Sequence, residues 1–286
     1  MSGLLIESIE KPDLVLITGR RGGTLAGGKS TLANTLAYDA GSDSFNPNVM
    51  HGDRDDFPSA KTHPSPFAQT PEQVKIEKLK TDDLYIGLID AKLRIVTRPH
   101  QKGIILGDWL PRFENSVVTD KLMSLKERYN VFVIFVECDP KVQHERLKQR
   151  AVNDTKAAQR DSMYRDNEQK FMDDFAARSE IDNKIFENFI NLNLNLLHKV
   201  IDTTQDFPLR TFNSVGRDIT IYDLNDEGVQ NFIRSIVDFI NFGHALAAAS
   251  NSDASSGTLD FNTGTRFAMK SEVEAMRNSR KLSGDS

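Results

Sequence analysis

One stretch constrains this chain more than any other: Leu14–Ala33, LVLITGRRGGTLAGGKSTLA. Leu14 to Thr18 is apolar or β-branched throughout and reads as a buried strand; a glycine-rich loop follows, and a helix begins near Lys29. Gly23, Gly28, Lys29 and Ser30 stand at the spacing G-x-x-x-x-G-K-[ST], the Walker A phosphate loop. The spacing has a physical reason. Residues without a Cβ let successive backbone N–H groups wrap phosphate oxygens, and the following helix directs its positive end at the same anion. Gly23, Thr24, Gly27, Gly28, Lys29, Ser30 and Thr31 are therefore the candidate contacts to a triphosphate. Lys29, expected on an exposed loop, would reach the β- and γ-phosphates, and Ser30 would hold Mg²⁺. Gly19-Arg20-Arg21-Gly22 intervenes before Gly23, so the loop is longer than the pattern needs.

A second strand is predicted at Asn48–His51, followed at once by Gly52-Asp53-Arg54-Asp55-Asp56. Polar residues at the carboxyl ends of strands in an open α/β sheet face the ligand crevice. Asp53 or Asp55 could orient an acceptor hydroxyl and take its proton, with Arg54 and Asp56 beside it as substrate contacts. Pro58 to Pro71 has no periodicity and reads as a covering flap or a mobile loop; a helix from Pro71 to about Thr97 follows. The apolar strand Gly103–Gly107 ends at Asp108, which suits a carboxylate next to a Mg²⁺ shell, and Arg112 could grip an anionic group bidentately.

Val131–Val136 is the most apolar run, a strand covered on both faces. It leads through Cys138 and Asp139 into a helix from Pro140 to about Arg150, on which Arg146 and Arg150 lie one turn apart and His144 reads as an exposed residue. The polar segment 151–166 carries Lys156, Arg160 and Arg165 and reads as a mobile lid whose arginines would stabilise a transferring phosphoryl group. A helix over 167–190, a strand at Arg217–Tyr222 and an amphipathic helix from Asp226 to Phe242 complete the periodic part. Residues 1–13 are a short lead-in. Residues 245–286, rich in Ala, Ser, Asn and Gly, read as a disordered tail.

The net charge of −5 argues against bulk binding to nucleic acid. The single cysteine, Cys138, excludes an intrachain disulfide framework and suits a reducing cytoplasm. No segment approaches the ~20 apolar residues of a membrane span, and the acidic N-terminus lacks the apolar core of a signal peptide.

Strand, phosphate loop and helix, then repeated strand–helix units, predict an α/β fold with a parallel sheet and helices on both faces, spanning about 14–244. This pattern resembles the P-loop kinases of small molecules and nucleotides. Within them it is most similar to the kinase domain of 6-phosphofructo-2-kinases, through Phe45-Asn46, Asp53-Arg54-Asp55, Cys138-Asp139-Pro140-Lys141-Val142, Arg160-Asp161-Ser162 and Ile219-Thr-Ile-Tyr-Asp223. The resemblance implies a three-layer sandwich, ATP and Mg²⁺ as cofactors, and transfer of the γ-phosphoryl group to a hydroxyl of an anionic small molecule such as a sugar phosphate. Gly103–Arg112 and Arg165-Asp-Asn-Glu are also similar to nucleoside monophosphate kinases, and the Asp55-Asp56 turn to polynucleotide 5′-kinases. A non-catalytic nucleotide-binding protein is the reading from another class.

Overall fold

The computed structural model describes residues 11–20, 26–39, 43–45, 49–53, 103–107, 116–153, 162, 164–165, 167–192, 194–214 and 217–253. Its centre is one parallel sheet of β1 (Asp13–Gly19), β4 (Val49–Asp53), β5 (Gly103–Gly107), β6 (Asn130–Glu137) and β7 (Leu197–Asp202), in the order β4-β5-β1-β6-β7. Two short antiparallel pairs flank it, β2 (Tyr38–Asp39) with β3 (Ser44–Phe45) and β8 (Leu209–Ser214) with β9 (Arg217–Tyr222). Among the described residues, the helices with defined bounds are α1 (Lys29–Ala37), α2 (Ser116–Arg128), α3 (Pro140–Asn153), α4 (Glu168–Asn191) and α5 (Glu227–Asp253).

The register of β1 on β6 explains why both strands are apolar through their middles. Val15 lies beside Phe132 and Ile17 beside Ile134, which puts Val15, Ile17, Phe132, Ile134 and Val136 on one face. There they pack with Leu32 and Leu36 of α1 and with Val229, Ile233, Ile236 and Ile240 of α5. On the opposite face Phe135 meets Phe186 and Phe189 of α4 edge-on, with ring centres 4.8 and 5.3 Å apart. A strand buried on both sides has no position for a solvated side chain. Helices thus cover both faces of a parallel sheet, as the sequence predicts.

Connection handedness explains the two layers. From β1 the chain runs past β5 to β4, whereas from β5 to β6 and from β6 to β7 it runs in the opposite direction across the sheet. Right-handed crossovers running in opposite directions must lie on opposite faces, which separates α1 from α4. The connections diverge between β1 and β6, and such a divergence opens a crevice at the carboxyl ends of the strands.

Several elements differ from the sequence reading, among them β8 and the β2–β3 pair, which it does not contain, and β4, which runs Val49–Asp53 rather than Asn48–His51 and so takes Asp53 into the strand. The first helix stops at Ala37 rather than near Ala40, because Tyr38 turns extended to pair with Phe45 and seats its ring against Phe45 and Phe212. Strand β7, which periodicity does not reveal, is the edge strand of the sheet, paired with β6. Helix α5 continues past Phe242 to Asp253, through the strong helix formers Ala245 to Ala249. The chain divides into two units, Met1–Asn241, which holds the sheet, and Phe242–Ser286, whose described part is the last stretch of α5. The expected flap, the expected helix from Pro71 to Thr97 and the tail beyond 253 lie outside the described residues.

Candidate functional site

At the carboxyl edge β1 ends in Gly19, and the Arg20 N–H donates to the Val136 carbonyl at 2.8 Å. The loop reaches α1 through Ala26 and Gly28, both in the left-handed region at φ 48° and 82°. Gly28 caps the helix, and its carbonyl accepts the first helical bond from the Leu32 N–H at 2.8 Å. The cap is a glycine, so it supplies no side-chain oxygen of its own, and no acidic residue lies in the first turn, which leaves the helix dipole's positive end uncompensated by its own residues. Glycine is required at 28 on two grounds. The backbone is left-handed, and a Cβ would lie 2.7 Å from the Tyr222 hydroxyl.

Lys29 departs from expectation: it is buried, with 5% of its surface exposed, rather than standing on an exposed loop. Ser30 is exposed and Thr31 half-buried. The first turns of α1 are fastened to β9, since the Thr35 hydroxyl donates to the Thr31 carbonyl at 2.7 Å and accepts the Tyr222 N–H at 2.9 Å.

The ends of β6 and β7 wall the loop on one side. The Arg20 guanidinium pairs with the Glu137 carboxylate at 2.8 Å and lies 3.9 Å above the Phe186 ring. Thr203, fully buried just after β7, donates its N–H to the Glu137 carbonyl at 2.9 Å and places its hydroxyl 2.8 Å from the Gly27 carbonyl. Arg146 of α3 donates to the Thr203 carbonyl at 2.7 Å and lies 3.3 Å from the Cys138 sulfur. Burial pushes the Cys138 thiol up, with the Arg146 charge opposing. The Cys138-Asp139-Pro140 run is explained by helix chemistry. The Asp139 carboxylate caps α3 by accepting the Lys141 N–H at 2.8 Å, and Pro140 is the first helical residue.

His144, expected to be exposed, is buried: its ring stacks on Phe171 with centres 5.1 Å apart, and Nε2 lies 2.9 Å from the Tyr164 carbonyl. The Tyr164 hydroxyl donates to Asp174 at 2.9 Å. Ala26 of the loop packs against the cluster of Leu147, Tyr164 and Phe171. Arg165 is exposed on the turn that Tyr164 anchors, so this arginine belongs to a segment fastened beside the loop.

Gly27, Gly28, Lys29, Ser30 and Thr31 therefore stand together where β1 passes into α1. Asp53 ends β4 on the same edge, with β5 between it and β1, an offset of two strand spacings or ~10 Å. Gly23, Thr24, Arg54, Asp55, Asp56, Asp108, Arg112 and Arg160 lie outside the described residues. Sequence reasoning missed Thr203, Tyr222 and Glu137 at this edge and assigned Arg146 no partner. A polar pair directly after a strand, Thr203-Thr204, would have been the signal for the first, had β7 been recognised.

No protein-family model matches the chain, and no curated protein matches its sequence. Among the described residues no helix is long and apolar enough to cross a membrane.

Proposed function

We propose that the chain is an ATP-dependent kinase built as a P-loop three-layer sandwich, transferring the γ-phosphoryl group to a hydroxyl of an anionic small molecule. One observation carries this reading. The Gly27-Gly28-Lys29-Ser30 sequence occupies the joint between β1 and a glycine-capped α1, at the point where the sheet's connections diverge. Backbone N–H groups of the loop bind the phosphate chain, and Lys29 offsets the charge that develops on the transferring group. Its burial strengthens that role, because a cation in a low-dielectric place acts on a nearby charge with less screening.

Magnesium would be held here by few protein ligands. Among the described residues no group of three or more His, Cys, Asp and Glu side chains is placed to hold a metal ion, but Mg²⁺ bound with a nucleotide takes one or two protein ligands beside phosphate oxygens and water. Ser30, exposed in the first turn of α1, would supply one and Asp108 another. When bound, the ion neutralises charge on the β- and γ-oxygens. Asp53 or Asp55 orients the acceptor hydroxyl, Arg54, Asp56 and Arg112 hold its anionic part, and Arg160 and Arg165 close the charge balance around the triphosphate. The buried, unpaired-sulfur state of Cys138 agrees with a cytoplasmic location.

Phosphoryl transfer from labelled ATP to fructose 6-phosphate, nucleoside monophosphates and 5′-hydroxyl oligonucleotides, compared side by side with the acceptor-free control, tests the proposal. Turnover above control with one class identifies the acceptor. ATP binding with no transfer to any of them would leave a nucleotide-binding protein, and no binding at all would remove the phosphate-loop assignment.

A further inference from the structure

We infer that Thr203 is a positioning residue of the phosphate loop: its hydroxyl turns the Gly27 carbonyl toward the sheet and thereby aims the Gly28 N–H at the bound phosphate chain. The inference rests on the nucleotide-binding reading above.

Its basis is geometric. Thr203 follows β7 at the carboxyl edge, is fully buried, and brings Oγ1 to 2.8 Å from the Gly27 carbonyl oxygen, from 176 residues away in sequence. The same hydroxyl lies 3.0 Å from the Glu137 carbonyl, but that carbonyl already accepts the Thr203 N–H at 2.9 Å, which favours giving the single hydroxyl proton to Gly27. In a trans peptide the C=O and the following N–H point to opposite sides. Drawing the Gly27 carbonyl toward Thr203 therefore sends the Gly28 N–H the other way, away from the β6–β7 wall. Phosphate loops bind through backbone N–H groups.

The threonine is itself held in place. Its carbonyl accepts Arg146 Nη2 at 2.7 Å, and the same nitrogen reaches the Gln205 carbonyl at 3.2 Å. Its Cβ and methyl carbon lie 3.7 and 3.8 Å from the position a Cβ on Gly28 would take, so they pack under that glycine while the hydroxyl holds the preceding peptide. One side chain thus supports two consecutive loop residues with its two branches. Glycines at 27 and 28 resist no rotation of their own, which is why an external contact is needed to select one peptide orientation.

The test compares Thr203→Val, which keeps the branched shape and loses the donor, with Thr203→Ser, which keeps the donor. Calorimetry gives Kd for ATP and for inorganic triphosphate, and steady-state kinetics separates KM from kcat. Thr203→Val should weaken both ligands by about 3–10-fold, the loss of one neutral hydrogen bond, and raise KM for ATP to match, with kcat within about twofold of wild type. Thr203→Ser should restore binding. A folded Thr203→Val protein that binds triphosphate like wild type overturns the inference, even if its Tm has dropped. Should that variant not fold, the wild-type protein decides: saturating triphosphate must shift the Gly28 amide proton downfield, and an unmoved amide overturns the inference. Wild-type protein that binds neither ligand instead overturns the nucleotide reading on which the inference rests.

Discussion

At the amino end of the sheet Lys126 donates to the Asn195 carbonyl at 3.0 Å and reaches the Leu194 carbonyl at 3.5 Å, Lys11 reaches the Lys126 carbonyl at 3.5 Å, and Asn130 donates to the Lys11 carbonyl and the Asp13 carboxylate. At the carboxyl end Lys29 is buried, Arg20 pairs with the Glu137 carboxylate and Arg146 donates to the Thr203 carbonyl. The residue types are alike; the backbones are not. Among the described residues the amino end has one left-handed residue, Asn195, a type that tolerates it, and its side chains tie chain segments to one another. The carboxyl end holds Ala26 and Gly28 left-handed within three residues of a helix start. Lysines at a sheet end therefore do not mark a site. What sets the carboxyl end apart is a glycine-dependent backbone at the divergence of the sheet.

The contrast breaks most directly through its two lysines. Lys29→Met, which keeps the buried stem, should lower kcat by about 10²-fold or more through loss of transition-state charge stabilisation, while Lys126→Met leaves kcat at the wild-type value. Equal turnover in both variants would erase the distinction between the two ends.

Glycine dependence is the next test. Gly28→Ala should destabilise the protein by about 2 kcal/mol, from the left-handed backbone and from the Tyr222 hydroxyl 2.7 Å from the new Cβ. Removing that hydroxyl in Gly28→Ala/Tyr222→Phe should recover part of the loss, as read by denaturant unfolding of both single variants and the double. Strict additivity would mean that the hydroxyl does not crowd the glycine. Tyr222 is not ionised here at neutral pH, since burial pushes its pKa up to about 12.

At the amino end the effect should be one of stability alone. Burial, with the Lys11 charge adding, holds the Lys126 ammonium below the usual lysine range, so its carbonyl partners offset only part of its desolvation. Lys126→Met should cost about 1 kcal/mol, a fall of about 2–4 °C in Tm. An unchanged Tm would show that these bonds do not fasten the segments.

The smallest effect concerns His198 on β7, whose ring meets Phe135, Phe186 and Phe189. Burial lowers its pKa, opposed by a contact with the Leu196 carbonyl and aided by the Arg20 charge. The unfolded chain then binds the proton more readily than the folded one, so this residue's contribution falls as pH drops through the ordinary histidine value of about 6.5. His198→Leu should flatten the decline in Tm between pH 7 and pH 5. A parallel decline in both proteins would assign the acid sensitivity elsewhere.

Much of this was legible because its causes are local. The run from Leu14 to Ala33 contains a strand, a loop and a helix start in its own pattern of apolar, glycine and polar residues, and Val131–Val136 declares a strand buried on both faces. Asp139 and Pro140 announce α3, and the spacing from Val229 to Ile240 announces α5, though not its continuation to Asp253. The tertiary structure decided what depends on distant partners. Strand β7 gives no periodic signal because it is an edge strand with His198 and Lys199 in its middle, and only pairing with β6 makes it a strand. His144 lies on a polar helix and is buried only because Tyr164 and Phe171 come to it. Thr203 and Tyr222 reach Gly27 and Gly28 only once strands far apart in sequence converge on one edge. Periodicity records which face of an element is buried; it carries no record of which distant residue covers it, because that choice is made by packing and by the cost of closing long loops.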